Sequence, residues 1–327
     1  MSGRLVTRAD RWLLAPAPPT RLAALRILVA AYCTIFLLAR FGSFWGSLSL
    51  PRRQWEPVGP LWFLGEPLPV GLAQSVVLAT VALGVAATLG WRWRLTGPAF
   101  ALAFLVVATL RMSWGHVIHT ENLAVLHLLV IGFSRSAADV WSLDAVHRSG
   151  PDARSLPSAP SYRYGLPLRL MAVILVITYV LAGWMKLRNG GADWLTGDVL
   201  RNQIAYDNLR KELLGSPHSP IGGWVVQFGW PFHPIAWLTV VVELGAPLAL
   251  LGGRIRTLWA VAAWGFHVGI LVLMAISFPY PLSGVAYACL FRPERIVGPV
   301  VDRTRQLVVE RRLRSGTMGS WRPSRTS

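Results

Sequence analysis

The amino-acid sequence predicts an all-α fold: a polytopic membrane helical bundle of about eight transmembrane helices with outer interfacial loops. Three observations carry that prediction. The 327-residue chain is 54% apolar and only 14% charged, with a positive mean hydropathy, whereas a soluble domain of this length needs far more polar surface. Apolar runs recur at separated intervals, most of them near the ~20 residues that cross the hydrocarbon core. The basic residues fall almost entirely between those runs and in the C-terminal tail.

Each run can be placed in order. Residues 1–21 carry Arg4, Arg8, Arg11 and Arg21 and read as a cytoplasmic N-terminal segment. The run at 22–41 follows like a signal sequence, but it is too long and lacks a small-x-small cleavage site, so it reads as an uncleaved anchor. Residues 42–70 hold too much Pro, Gly and Trp for a helix and read as an interfacial cap with Trp45, Trp55 and Trp62 at headgroup depth. Spans are expected at 72–90, 97–114 and 119–134, followed by a polar, proline-bearing flexible linker over 135–165. The next run, 166–187, ends on Lys186 and opens a second outer loop, 189–233. Within that loop Asp198 to Leu214 suits an amphipathic helix lying on the membrane, with Val199, Leu200, Ile204 and Leu213 as its apolar contacts. Further runs lie at 234–252, 256–276 and 279–291, the last too short to cross ~30 Å of hydrocarbon unaided. The transmembrane domain thus covers 22–295, and 296–327 forms a basic cytoplasmic tail suited to the surface of the inner leaflet.

Composition also bounds function. A formal charge of +17 in a soluble chain points to nucleic acid; with the arginines between apolar runs it points instead to the lipid bilayer and its anionic headgroups. Nucleic acid is not an expected partner. In an eight-span arrangement with the N-terminus inside, inner segments carry 22 basic residues and outer segments nine, so the positive-inside rule places both termini in the cytoplasm. Arginine outnumbers lysine thirty to two, a bias of high-GC bacterial genomes, which makes the bacterial plasma (cell) membrane the expected address. Cys33 and Cys289 lie inside apolar runs and suggest packing rather than a disulfide or a metal site. No glycine-rich phosphate loop, nucleophile elbow or HExxH helix is present, and no internal repeat supports a transporter.

The candidate site residues are the polar groups within or beside the spans. Tyr179, Gly183 and Lys186 share one helical stripe at i, i+4, i+7, placing a phenol, a bare backbone patch and an amine on one side. That stripe can line a pocket, or Lys186 can simply snorkel to the headgroups. Glu243 and His267 sit near the centres of successive runs and are expected to pair, either ordering the bundle or serving as a proton relay or ligand contact. Pro247 removes the helical partner of the Glu243 carbonyl, so a kink or polar cavity is expected there. On the same side as Lys186, MSWGHVIHTENL places His116, His119, Glu121 and Asn122 with Arg111 nearby. These read as interfacial polar residues or as a site for a ligand at headgroup depth; the two histidines lack a third ligand, so no metal is assigned. Asn122, Glu243 and His267 are the candidate cofactor contacts. His127 reads as a packed, hydrogen-bonded membrane histidine.

The segment YVLAGWMKLRNGGADWLTG resembles the YxxAGxxK segment, followed by a Trp and a Gly, of the membrane domain of vitamin K-dependent gamma-glutamyl carboxylases and their bacterial HTTM (horizontally transferred transmembrane) relatives. QWEPVGPLWFLG, VWSLD, VELGAPL and FPYPLSGVAYACLF agree with that family in the same order, across roughly residues 20–295. The resemblance implies that Lys186 is the base that starts oxygenation of a reduced, menaquinone-like quinone, with Tyr179 as its motif tyrosine. It also implies a catalytic histidine at the outer end of the fourth span, to which His119 corresponds only with an offset. The carboxylases' large extramembrane domain has no counterpart in this length, so carboxylation of a protein substrate is not expected even if quinone chemistry is retained. Two roles follow: a quinol-dependent oxidoreductase or modifying enzyme acting on a small secreted peptide or small molecule, or a non-catalytic membrane module that binds a lipid or partner or assists maturation of such a peptide.

Overall fold

A computed structural model describes residues 2–115, 117, 119–149 and 156–304. The described residues contain no strand; only a single bridge, Ala17 with Ser161, pairs two segments in an extended fashion. Among the described residues fourteen α-helices follow one another: α1 (Ser2–Leu13), α2 (Pro19–Ala39), α3 (Phe41–Ser47), α4 (Val70–Leu89), α5 (Trp93–Met112), α6 (Asn122–Gly132), α7 (Leu143–Ser149), α8 (Tyr162–Thr196), α9 (Asp198–Leu213), α10 (Pro220–Val225), α11 (Phe232–Leu244), α12 (Gly253–Met274), α13 (Pro279–Leu282) and α14 over 294–304. Five of them, α2, α4, α5, α8 and α12, are long and apolar enough to cross a membrane, while α6 and α11 are shorter apolar helices.

The expected eight runs are therefore reshaped. Run 119–134 becomes an 11-residue helix starting at Asn122. Run 234–252 divides at Gly245 into α11 and a 3₁₀ segment, Ala246–Leu251. Pro247 supplies the reason, since it has no N–H to return to the Glu243 carbonyl. Run 279–291 is one helical turn followed by a 3₁₀ stretch, Val285–Leu290, as its shortness requires. Run 166–187 grows instead: α8 spans 35 residues, with a break at Gly191, whose φ of 54° and ψ of −138° belong to glycine alone.

The surrounding segments depart further from expectation. The linker 135–165 is partly folded: a 3₁₀ turn at Arg135–Ala138 and α7 precede residues 150–155, which lie outside the described part. The Asp144 carboxylate accepts hydrogen bonds from the Arg92 and Trp93 N–H groups at 2.7 and 2.8 Å, capping α5. Opposite it, the fully buried Arg26 guanidinium of α2 donates to the Ala87, Thr88 and Trp141 carbonyls and lies over the Trp93 ring. The segment 42–70 contains most of α3, where no helix was expected. Its tryptophans differ in environment: Trp62 is 75% exposed, as an interfacial residue should be, but Trp55 is buried against Trp114 and donates to the Leu64 carbonyl. Helix α9 forms as the sequence implies, yet it docks on protein. Asn208 donates to the Leu273 carbonyl at 2.8 Å and Lys211 to the Met274 carbonyl at 2.6 Å, satisfying the C-terminal end of α12. Ile204 is buried, whereas Leu213 is exposed. Of the tail, α14 is anchored by a bond from Arg21 to Glu294, and residues beyond 304 lie outside the described part.

Close backbone approach holds the bundle together where lipid offers no hydrophobic drive. A Cβ on Gly97 would meet the Gly132 carbonyl oxygen at 2.8 Å, and one on Gly132 would meet the Gly97 oxygen at 2.7 Å. Gly97→Ala is therefore expected to destabilise the detergent-solubilised protein by about 1–3 kcal/mol in unfolding titrations. Gly265→Ala, where a Cβ meets nothing within 4 Å, is expected to be neutral or slightly stabilising; equal losses at both positions contradict the packing account. Orientation has a separate test. Because Cys33 and Cys289 are buried, a cysteine introduced by His218→Cys, at an exposed position between α9 and α10, is expected to react with an impermeant maleimide in intact cells. One introduced by Asp302→Cys in α14 is expected to react only after lysis; the reverse pattern inverts the proposed topology.

Candidate functional site

The stripe Tyr179–Gly183–Lys186 on α8 faces protein, not headgroups. Gly183 makes this possible: a Cβ there would stand 2.9 Å from Glu243 Cβ and 3.1 Å from the Leu244 side chain, so its absence lets α11 pack directly on α8. One turn further on, Lys186 Nζ forms an ion pair and hydrogen bond with Glu243 Oε1. Glu243 is 3% exposed and the lysine side chain 21%. Two rings flank the ammonium, Trp194 at 5.3 Å and Phe266 at 5.0 Å from Nζ. Trp194 reaches this position because α8 breaks at Gly191, and its indole N–H points to Thr239 Oγ1 of α11 at 3.4 Å. Cation–π attraction is strongest for such a desolvated cation.

Tyr179 begins a second set of buried contacts two turns away. Its hydroxyl lies 2.8 Å from His267 Nε2 of α12 and 2.7 Å from the Tyr287 hydroxyl. Trp259 packs edge-on against both tyrosines and donates its indole N–H to the Val242 carbonyl at 2.8 Å. The sequence pairs Glu243 with His267; the structure pairs Glu243 with Lys186 and His267 with Tyr179. The flexible lysine arm crosses the gap opened by Gly183, while the short imidazole reaches only the phenol opposite it. Both groups remain at one centre, since Phe266 lies next to His267 at 5.1 Å and over Lys186. Two buried polar atoms there, Glu243 Oε2 and His267 Nδ1, have no hydrogen-bond partner among the described residues.

The candidates at the start of α6 sit at the edge of this centre. His119 is exposed, and its ring lies 5.4 Å from Phe278, which in turn lies 5.0 Å from His267. An aromatic ring thus separates the two imidazoles. Asn122 opens α6, exposed, and no side-chain hydrogen bond joins it to the Lys186 group among the described residues. Glu121 is held by Arg111 at 2.7 Å. His116 lies outside the described residues, and among those described no group of three His, Cys, Asp or Glu side chains is placed to hold a metal. His127 is fully buried between the Tyr280 hydroxyl, 2.8 Å away, and the Met171 carbonyl, 3.1 Å away, the satisfied arrangement expected of it.

Reading by residue type misses Tyr287, Trp259, Phe266 and Phe278, because aromatic residues in apolar runs are indistinguishable from ordinary packing. The ion pair yields its own test. Removing one charge by Glu243→Gln or Lys186→Met strands the other in a buried site and is expected to cost about 3–5 kcal/mol in unfolding measurements. The double substitution to Met at both positions is expected to recover most of that loss; additive losses exclude a coupled pair.

Residues 15–294, the whole described bundle except its two ends, match the model of the HTTM domain. No curated protein and no solved structure matches the chain. The four quoted segments occupy defined places in the bundle: QWEPVG against the end of α5, VWSLD at the Arg26–Asp144 lock, VELGAPL carrying Glu243, and FPYPLSGVAYACLF carrying Phe278 and Tyr287. With Lys186 and Tyr179 at the centre that three of the helices share, and the family model covering most of its length, the chain belongs to the HTTM-domain family of membrane proteins.

Proposed function

We propose that this protein is a quinol-dependent membrane oxidoreductase or modifying enzyme in which Lys186 is the proton-abstracting base. The observation that carries this reading is the Lys186 ammonium, paired with Glu243 and flanked by the Trp194 and Phe266 rings, next to the Tyr179–His267–Tyr287 contacts. A reduced, menaquinone-like quinone suits the donor set: flat aromatic side chains offer faces for a ring, and Glu243 Oε2 and His267 Nδ1 are buried polar atoms with bonding capacity unspent. When bound, a reduced quinone supplies a removable hydroxyl proton and an electron-rich ring open to oxidation by molecular oxygen.

The chain's part is proton management. Moving a proton from Lys186 Nζ to Glu243 converts two buried charges into a neutral amine and a neutral acid, which removes the desolvation cost of both. The free amine is then a base within an apolar site, and Glu243 holds the displaced proton. Tyr179, bonded to His267 and Tyr287, sets the orientation of the imidazole and keeps α8 and α12 in register. His119, separated from His267 by the Phe278 ring, is assigned no direct part in this proton movement. The proposal places the protein in a bacterial plasma membrane, with both termini cytoplasmic and Lys186 toward the outer face. There a lipid-soluble quinone arrives laterally, and a small secreted peptide or small molecule is the class of substrate to be modified.

The ion pair itself favours a second reading. A buried Lys–Glu bridge between α8 and α11 also serves a non-catalytic module that binds a lipid or partner, or assists peptide maturation. The two diverge on Lys186→Arg. Arginine keeps the bridge but stays protonated, so the catalytic reading expects loss of quinol-dependent oxygen consumption by about 100-fold or more with folding intact. The assay is reduced menaquinone analogue with purified protein in lipid vesicles, followed by an oxygen electrode. Turnover in Lys186→Arg equal to that of the unaltered protein removes the base role, and absence of turnover in the unaltered protein leaves the binding module.

A further inference from the structure

At the opposite end of α8 from Lys186 the helices enclose a cavity of about 140 Å³ lined by four arginines, Arg21, Arg169, Arg256 and Arg292. They come from separate elements: Arg21 from the first turn of α2, Arg169 from the start of α8, Arg256 from the start of α12, and Arg292 from the segment entering α14. Three apolar helices long enough to cross a membrane thus end their arginines in one hollow. Gly165 sits in its wall, where the Ala15 carbonyl lies too close to admit a side chain.

The charges within it do not balance. Arg21 is committed to Glu294 through bonds of 3.0 and 2.8 Å to Oε1. Arg256 donates to the Leu290 carbonyl at 2.7 Å and the Ala249 carbonyl at 3.4 Å, neutral acceptors that leave its charge uncompensated. Arg169 lies over the Trp12 ring, 5.1 Å from its centroid, and its buried Nε has no partner among the described residues. Arg21 and Arg256 both act on Arg169 as like charges. Among the described residues, four guanidinium groups and the one carboxylate paired with Arg21 leave an excess of three positive charges around a partly enclosed space. Like-charge repulsion of that size around one hollow is relieved by a bound anion.

The geometry points to a binding site for the phosphodiester headgroup of an anionic phospholipid. Guanidinium forks match phosphate oxygens bidentately, and the volume is several times the ~30 Å³ share of one water molecule. The lipid source is favoured over free phosphate because the arginines stand at the ends of spanning helices, where headgroups lie. Trp12 of α1 completes the site at the same level. This hollow is separate from the Lys186 centre, so occupancy of one is independent of the chemistry assigned to the other.

Native mass spectrometry of the full chain in non-ionic detergent tests the assignment, with phosphatidylglycerol, phosphatidylcholine and inorganic phosphate as probes. Phosphatidylglycerol is expected to remain bound and to raise the unfolding temperature, while phosphatidylcholine does neither. Arg169→Gln is expected to weaken retention about tenfold or more, as loss of a charged hydrogen-bonding partner does. Arg292→Gln, an exposed lining residue, provides a second variant that need not disturb folding and is expected to weaken it in the same direction. Arg295→Gln, an exposed arginine of α14 outside the cavity, is expected to leave retention unchanged. Equal losses with Arg295→Gln, equal retention of phosphatidylcholine, or unchanged binding in both cavity variants overturns the site. Full protection by inorganic phosphate alone overturns the lipid assignment.

Discussion

The bridge between Lys186 and Glu243 is the interaction around which the second half of the bundle is arranged. Neither charge is tolerable alone at its depth, so α8 and α11 must meet closely enough for one to neutralise the other. That requirement accounts for Gly183 and for the glycine-only break at Gly191 that returns Trp194 over the ammonium. In the first half of the bundle the Arg111–Glu121 pair, 2.7 Å apart, ties only the end of α5 to the start of α6. The helices there close on each other through Gly97 and Gly132, where backbone meets backbone.

Much of the architecture was legible because membrane insertion imposes a coarse pattern. Length and apolarity locate α2, α4, α5, α8 and α12, and the polar start at Asp198 locates α9. The failures share one cause: hydropathy measures transfer to lipid, not the protein that replaces lipid as a neighbour. Trp55 reads as an interfacial anchor yet packs against Trp114, and α9 reads as resting on a bilayer yet caps α12 through Asn208 and Lys211. The fold inside 135–149 was hidden because its stabilising groups, Asp144 and the Trp141 carbonyl, find their partners on α5 and α2, far away in the chain.

The site was legible in its charged members and obscure in their pairing. Lys186, Glu243 and His267 stand out because ionisable groups in apolar runs are rare, and Tyr179 because it shares a stripe with the lysine. Depth along separate helices, however, does not settle rotation about their axes. Equal depth suggested Glu243 with His267, whereas the facing sides pair Glu243 with Lys186 and His267 with Tyr179. The aromatic enclosure of Trp194, Phe266 and Phe278 has no local marker at all, because the same residues in the same runs serve equally as packing.

Arg26 carries a consequence for biogenesis. Its guanidinium lies two turns inside the first long apolar helix, and its acceptors are the last carbonyls of α4 and that of Trp141. While the ribosome has delivered only α2, those acceptors do not yet exist, and a lone guanidinium at that depth is costly in lipid. Until then its long arm must reach back toward the near interface, and its last acceptor arrives only after more than a hundred further residues have emerged. Final seating of the N-terminal helix is thereby a late event in assembly, gated by the segment that follows α6.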